Sequence, residues 1–274
     1  MVLLYRIVIR KAYVSGQFYP SKSEDIEKFL KQFDSKPQNM FSAKGIILPH
    51  AGYIYSGEVV AQTIKRIIPK KRIIIFGPNH TGIGKNFAIF SKGSWQTPFG
   101  DLEIDEKLVQ RIINAGDKLV VDSIAHSQEH SIEVELPILR YFFRDFKFVP
   151  ISCSLEKIDS YQAVAKQIFE AIKDIKNDIL LVASSDMSHY EEDSIVRRKD
   201  RMAIESILNL DEEELIARTK ANNISICGIA PVSILIACCK LLQANKVEVA
   251  RYNTSGDISG DYSAVVGYLG AIIH

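Results

Sequence analysis

Cysteine is scarce and unpatterned in this chain: Cys153, Cys227, Cys238 and Cys239 are the only four, with no CxxC spacing. So few thiols rule out a disulfide-dense scaffold and suit a reducing compartment. Cys238 and Cys239, inside "SILIACCKLL", read as small buried hydrophobes. An excess of one charge is missing too. The 34 Lys and Arg against 33 Asp and Glu leave a net charge of +1, with the two signs interspersed. That removes any general electrostatic case for nucleic acid or an anionic membrane, so neither partner is expected. The local runs "RIIPKKR" (66–72) and "VRRKDR" (196–201) read as solvated loop and helix faces.

Long hydrophobic runs are also lacking. The opening "MVLLYRIVIRKAYVSG" is interrupted by Arg6 and Arg10, too soon for a signal-peptide core or a membrane span, and a cytoplasmic protein is expected. No linker, repeat or low-complexity stretch divides the chain, so residues 1–274 are expected to form a single domain. What is present is enough to bury a sizeable core: 47% hydrophobic residues, 24% charged and a mean hydropathy of +0.02.

Short Ile- and Val-rich runs alternate with amphipathic segments along nearly the whole length, the pattern of an α/β fold with a central, largely parallel or mixed sheet flanked by helices. Strands are expected at "GIILPH", "RIIIFGPNH", "FAIFSKG", "FKFVPISCS", "DILLVASSDMSH", "KVEVARYNT" and "YSAVVGYLGAII". The helices begin with "SKSEDIEKFLKQF", where Ser21 or Ser23 is the expected N-cap. They continue through "SGEVVAQTIKRII", with Gly57 at its start, and "SIEVELPILRYFF", which Pro137 would start or kink. The last is "APVSILIACCKLLQA".

Three expected strands deliver a histidine where their apolar run stops: His50, His80, and His189 just after Asp186. In an open α/β sheet this is the crevice at the carboxyl ends of the strands, where ligands bind. Each histidine alone has a plainer reading as a hydrogen-bonded loop residue. If the strands are neighbours, the three imidazoles converge, and neutral imidazole is a common ligand for zinc, copper and iron. Glycines bracket these positions, as in "PHAGYIYSG" and "GPNHTGIG", and allow sharp turns beside a ligand. Cys227 in "NISICGIAPVS" precedes a helix start, a setting that favours thiolate; the alternative is an inert buried thiol. "AHSQEHSIEVELP" would place His126 and His130 on one helix face, but the HExxH order is absent. Glu129 and His130 are therefore expected to orient the ligands from behind.

"SGQFYP", "LPHAGYIYSG", "FGPNHTG", "EHSIEVELPIL", "VASSDMSHY" and "ISICGIAPV" stand in the order and approximate spacing of the Memo family, which the chain resembles from about Ser15 to its end. The resemblance implies a fold like that of class III extradiol dioxygenases, which hold a non-haem iron with two histidines and a carboxylate. It implies that His50 and His80 take the histidine ligand positions, with Cys227 where the carboxylate stands, and that His189 is the acid/base histidine with Asp186 beside it. A thiolate in place of a carboxylate softens the site toward copper, or iron with altered redox behaviour, and departs from ring cleavage. The family's association with copper or iron binding and oxidant production implies metal-dependent redox chemistry with oxygen.

Three function classes follow. In the first, His50, His80 and Cys227 bind copper or iron, and His189 with Asp186 moves protons. In the second, the same crevice is a non-enzymatic pocket for a peptide or small ligand. In the third, zinc occupies the site and activates water.

Overall fold

A computed structural model describes residues 8–33, 35–37 and 39–274; the start of the N-terminal apolar stretch, with Arg6, lies outside the described residues. In chain order the strands are β1 (Ile9–Arg10), β2 (Gly45–Leu48), β3 (Arg72–Pro78), β4 (Phe87–Ile89), β5 (Ser94–Thr97), β6 (Gly100–Glu103), β7 (Val120–Val121), β8 (Lys147–Cys153), β9 (Ile179–Ser184), β10 (His189–Glu191), β11 (Val247–Thr254) and β12 (Val265–Ile273). The helices are α1 (Ser23–Leu30), α2 (Tyr53–Ile64), α3 (Glu106–Asn114), α4 (Glu135–Phe143), α5 (Ile158–Ile172), α6 (Asp193–Leu208), α7 (Glu212–Ala221), α8 (Ile229–Leu241) and α9 (Gly256–Ser259).

The main sheet runs β10-β12-β2-β9-β3-β8-β4-β7, with β11 also paired to β12. Its centre, β2-β9-β3-β8, is parallel, while β12 joins β2 and β4 joins β8 in antiparallel fashion. The parallel strands read as near-continuous apolar runs because both faces are covered. Ile46, Ile47, Ile73, Ile74, Ile75, Leu180, Leu181 and Val182 are all fully buried. Helix α2 packs on β12, β11 and β2, and α8 packs on β3, β9 and β2 with α5 behind it. These layers share one hydrophobic core. Each of the seven expected strands is present. Among the described residues, no helix is long and apolar enough to cross a membrane.

Some local expectations give way to tertiary contacts. The N-cap of α1 is Lys22, and neither serine caps it through its side chain. Helix α2 begins four residues before Gly57, at Tyr53, whose N–H donates to the Phe18 carbonyl (2.8 Å). Pro137 sits in the first turn of α4, where its missing N–H costs nothing. A second, three-stranded sheet, β1-β5-β6, has no counterpart in the apolar pattern, because its short strands mix Trp95 and Leu102 with exposed polar residues.

Candidate metal centre

Strands β2, β9 and β3 are consecutive and parallel, so their carboxyl ends finish together. Leu48 lies beside Ser184 and Phe76 beside Ala183. His50 follows β2 by two residues, Asp186 follows β9 by two and His80 follows β3 by two. Neighbouring strands are roughly 4.8 Å apart, so side chains leaning in from β2 and β3 meet over the end of β9. The His50 and His80 rings are 5.2 Å apart between centroids. His130, from the turn before α4, stacks on His80 at 4.8 Å and stands edge-on to His50 at 5.5 Å. One ligand atom from each of His50, His80 and His130 lies within 4.8 Å of the others.

Each ring is held from behind. Glu129 accepts the His80 backbone N–H on Oε2 (2.6 Å) and the ring Nδ1–H on Oε1 (2.9 Å), which leaves Nε2 to face the crevice. Burial works against the Glu129 charge. The hydrogen bond and charge of His80, with the Ser131 N–H, outweigh it and carry the carboxyl down to about 2. His50 Nδ1 meets Ser184 Oγ at 2.8 Å. Burial, with the neighbouring imidazoles adding to it, pushes His50 well below the usual histidine range, and burial lowers His130 too. Both rings are therefore neutral donors near pH 7. Glu129 thus backs the His80 ring. The His130 ring, expected behind the other two, stands beside them.

The loop that carries Glu129 and His130 is not a helix. Residues 124–126 form a single 3-10 turn, and regular helix begins only at Glu135. What shapes the loop is Arg10, almost fully buried. Its guanidinium donates to the carbonyls of His126 (2.6 Å) and Glu129 (2.7 Å) and pairs with Glu133 Oε2 (2.6 Å). The other face of Arg10 lies 4.1 Å over the Trp95 ring. Glu133 Oε1 in turn accepts from the N–H groups of Tyr13 and Val14 and from the Tyr19 hydroxyl. Sequence reasoning registered Arg10 only as a break in an apolar stretch. A signal was available: an arginine in an otherwise apolar strand needs a buried partner. The shared helix face expected for His126 and His130 does not exist. His126 points away, fully buried, with Nε2 at 3.1 Å from the Ala88 carbonyl.

Cys227 stands beside the trio, its Sγ 3.4 Å from His50 Nε2 and 3.2 Å from the Asp186 N–H that donates to it. It does precede a helix, α8. Yet burial, reinforced by the Asp186 carboxylate, pushes the thiol well above its usual range, which favours the buried thiol over the thiolate of the two readings left open by the sequence. Gly228 makes the approach possible: a Cβ there would lie 2.3 Å from that of Ser185. Gly77 does the same for the loop, since a Cβ would fall 2.5 Å from Ser131 Oγ. Asp186 Oδ1 accepts the His50 backbone N–H (2.8 Å), and burial raises its carboxyl to about 6. His189 belongs to β10 rather than to the end of β9. Its Nδ1 donates to the Ser225 carbonyl (2.8 Å), which leaves Nε2 as an acceptor.

The donor set suits a transition-metal ion. Three convergent imidazoles, two of them oriented through Nδ1 by a carboxylate and a hydroxyl, are what imidazole coordination requires. The fold and this site define an α/β protein with a candidate metal centre at the carboxyl edge of its parallel strands. The family profile described as Memo-like protein matches residues 10–272, and the chain belongs to that family. MEMO1 family proteins of Methanococcus vannielii and Aquifex aeolicus are each 39% identical to it, over 97% and 96% of this chain and 99% and 98% of their own. One from Methanosarcina barkeri is 38% identical over 97% of this chain and all of its own. Among solved structures, an uncharacterized protein of Escherichia coli K12 shares the fold, with a TM-score of 0.56 at 12% identity over 82% of this chain and 98% of that one.

Proposed function

We propose that this chain is a metal-dependent oxidoreductase that uses copper or iron with oxygen, its ion held by His50, His80 and His130 with Cys227 at hand as a fourth donor. The convergence of the three imidazoles carries this reading. A sulfur beside three nitrogens favours copper, or an iron of altered redox behaviour, over the hard cations. When bound, the ion would supply electron transfer and an open position for oxygen or substrate. The chain's own residues do the rest. Glu129 and Ser184 hold two of the rings, and burial keeps His50 and His130 unprotonated. His189, its Nδ1–H committed to Ser225, offers Nε2 to take or return a proton at the crevice mouth. Asp186, fixed on the His50 N–H, sets the charge felt by both His189 and Cys227.

A second reading has its own support. Three histidines and a protonated thiol also suit zinc with an open fourth position, as in a zinc-dependent hydrolase. Metal analysis of protein purified anaerobically without chelator separates the two. Copper or iron near one per chain, lost in His80→Ala, supports the oxidoreductase. Stoichiometric zinc supports the hydrolase, and wild-type protein that neither carries nor takes up an ion leaves only a binding pocket.

A further inference from the structure

We infer that Glu135 and Ser184 are positioning residues that lock His50 in its Nδ1–H form, so that Nε2 presents a lone pair to the crevice. The functional value of this lock rests on the metal-centre reading; its existence rests on a proton count. Ser184 Oγ has three close partners: the Ser131 carbonyl at 2.7 Å, His50 Nδ1 at 2.8 Å and Glu135 Oε1 at 2.9 Å. A serine hydroxyl carries one hydrogen and two acceptor lone pairs. The Ser131 carbonyl can only accept, so the hydroxyl hydrogen belongs there. The remaining two contacts are hydrogen bonds only if each partner brings its own hydrogen. Glu135 must then be a carboxylic acid donating O–H, and His50 must donate Nδ1–H.

Three further observations agree with the count. Glu135 is fully buried at the start of α4, its Oε2 has no hydrogen-bond partner, and no ion pair to it is present among the described residues. A carboxylate so placed would be a bare buried charge. On the other side of the ring, Cys227 Sγ lies 3.4 Å from His50 Nε2, close enough for an Nε2 lone pair to accept the S–H, which also has the Asp186 carbonyl at 3.6 Å. Ser184 ends β9 between the strands that carry His50 and His80, so the lock is built into the sheet and not into a loop.

The test uses the full metal-free chain near neutral pH. Nitrogen-15 NMR of the His50 ring is expected to show Nδ1 protonated and Nε2 bare. Infrared spectroscopy is expected to show a protonated carboxyl band that disappears in Glu135→Gln. Ser184→Ala should yield a mixture of ring tautomers and bind Cu2+ or Zn2+ about 10–100-fold more weakly. Glu135→Gln, whose amide N–H can stand in for the carboxyl O–H, should keep the wild-type tautomer and affinity, whereas Glu135→Met should lose both. An Nε2–H ring in the wild type, or the absence of the Glu135 carboxyl band, overturns the inference without requiring any variant to fold. Wild-type protein that binds neither ion sinks the metal-centre reading and leaves these metal-free measurements valid.

Discussion

Replacing Arg10 by methionine tests whether a residue remote in sequence builds the loop that carries Glu129 and His130. The substitution keeps the bulk of the side chain but removes the charge from a pair whose side chains are 4% and 1% exposed. Breaking a buried ion pair from one side costs about 3–5 kcal/mol, because the other charge is left behind. Glu133 retains the Tyr13 and Val14 N–H groups and the Tyr19 hydroxyl, so the lower end, about 3 kcal/mol, is expected. For a chain of this size that corresponds to a fall in Tm on the order of 6–12 °C. Trp95 is the only tryptophan, is buried and lies under the Arg10 guanidinium, so its fluorescence against urea reads the change, with circular dichroism as a second probe. The freed carbonyls of His126 and Glu129 unmoor the loop, so affinity for a probe ion should drop as well. Adding Glu133→Gln removes the orphaned charge and should recover part of the loss. A cost under about 1 kcal/mol, or a double variant as unstable as the two singles summed, would refute the clamp.

Two further outcomes are expected. Burial, opposed by the hydrogen bond to the Ala88 carbonyl, lowers His126 to about 4 from a usual 6.5, so the ring is neutral in the fold while the unfolded chain takes up a proton below 6.5. The unfolded state therefore binds more protons between pH 6.5 and 4, and His126 withdraws about 3 kcal/mol of stability as pH falls through that window. His126→Gln should flatten the decline in urea midpoint over this range, and parallel curves for the two proteins would remove the assignment. Gly228→Ala forces a Cβ to within 2.3 Å of the Ser185 Cβ and 2.6 Å of the Ser184 carbonyl oxygen. It should cost about 1–3 kcal/mol and displace Cys227 from His50, read as a lower urea midpoint and faster thiol labelling; wild-type behaviour in both would discard the packing argument.

Residues 45–48, 72–78, 147–153 and 179–184 were legible as buried parallel strands because each is built on a short apolar run, 46–48, 73–76, 148–151 and 179–183. His50 and His80 were legible as site candidates because each follows such a run directly. The helix pattern across 126–133 misled, since Arg10 takes the carbonyls of His126 and Glu129 from more than a hundred residues away. No local window contains that contact. The choice between thiolate and buried thiol at Cys227 stayed open in the sequence for a similar reason. A helix start is visible in sequence, whereas the burial and the Asp186 carboxylate that outweigh it are not.

Hydrophobic period and turn chemistry act over a few neighbouring residues, so the chain alone determined its α/β class, its main strands and the two histidines at their tips. Sheet order and register depend on contacts between distant segments. Only the folded molecule therefore decided that β9 lies between β2 and β3, that His130 joins the other two rings, and that Ser184 and Glu135 stand behind His50. Those placements turn scattered polar residues into one site.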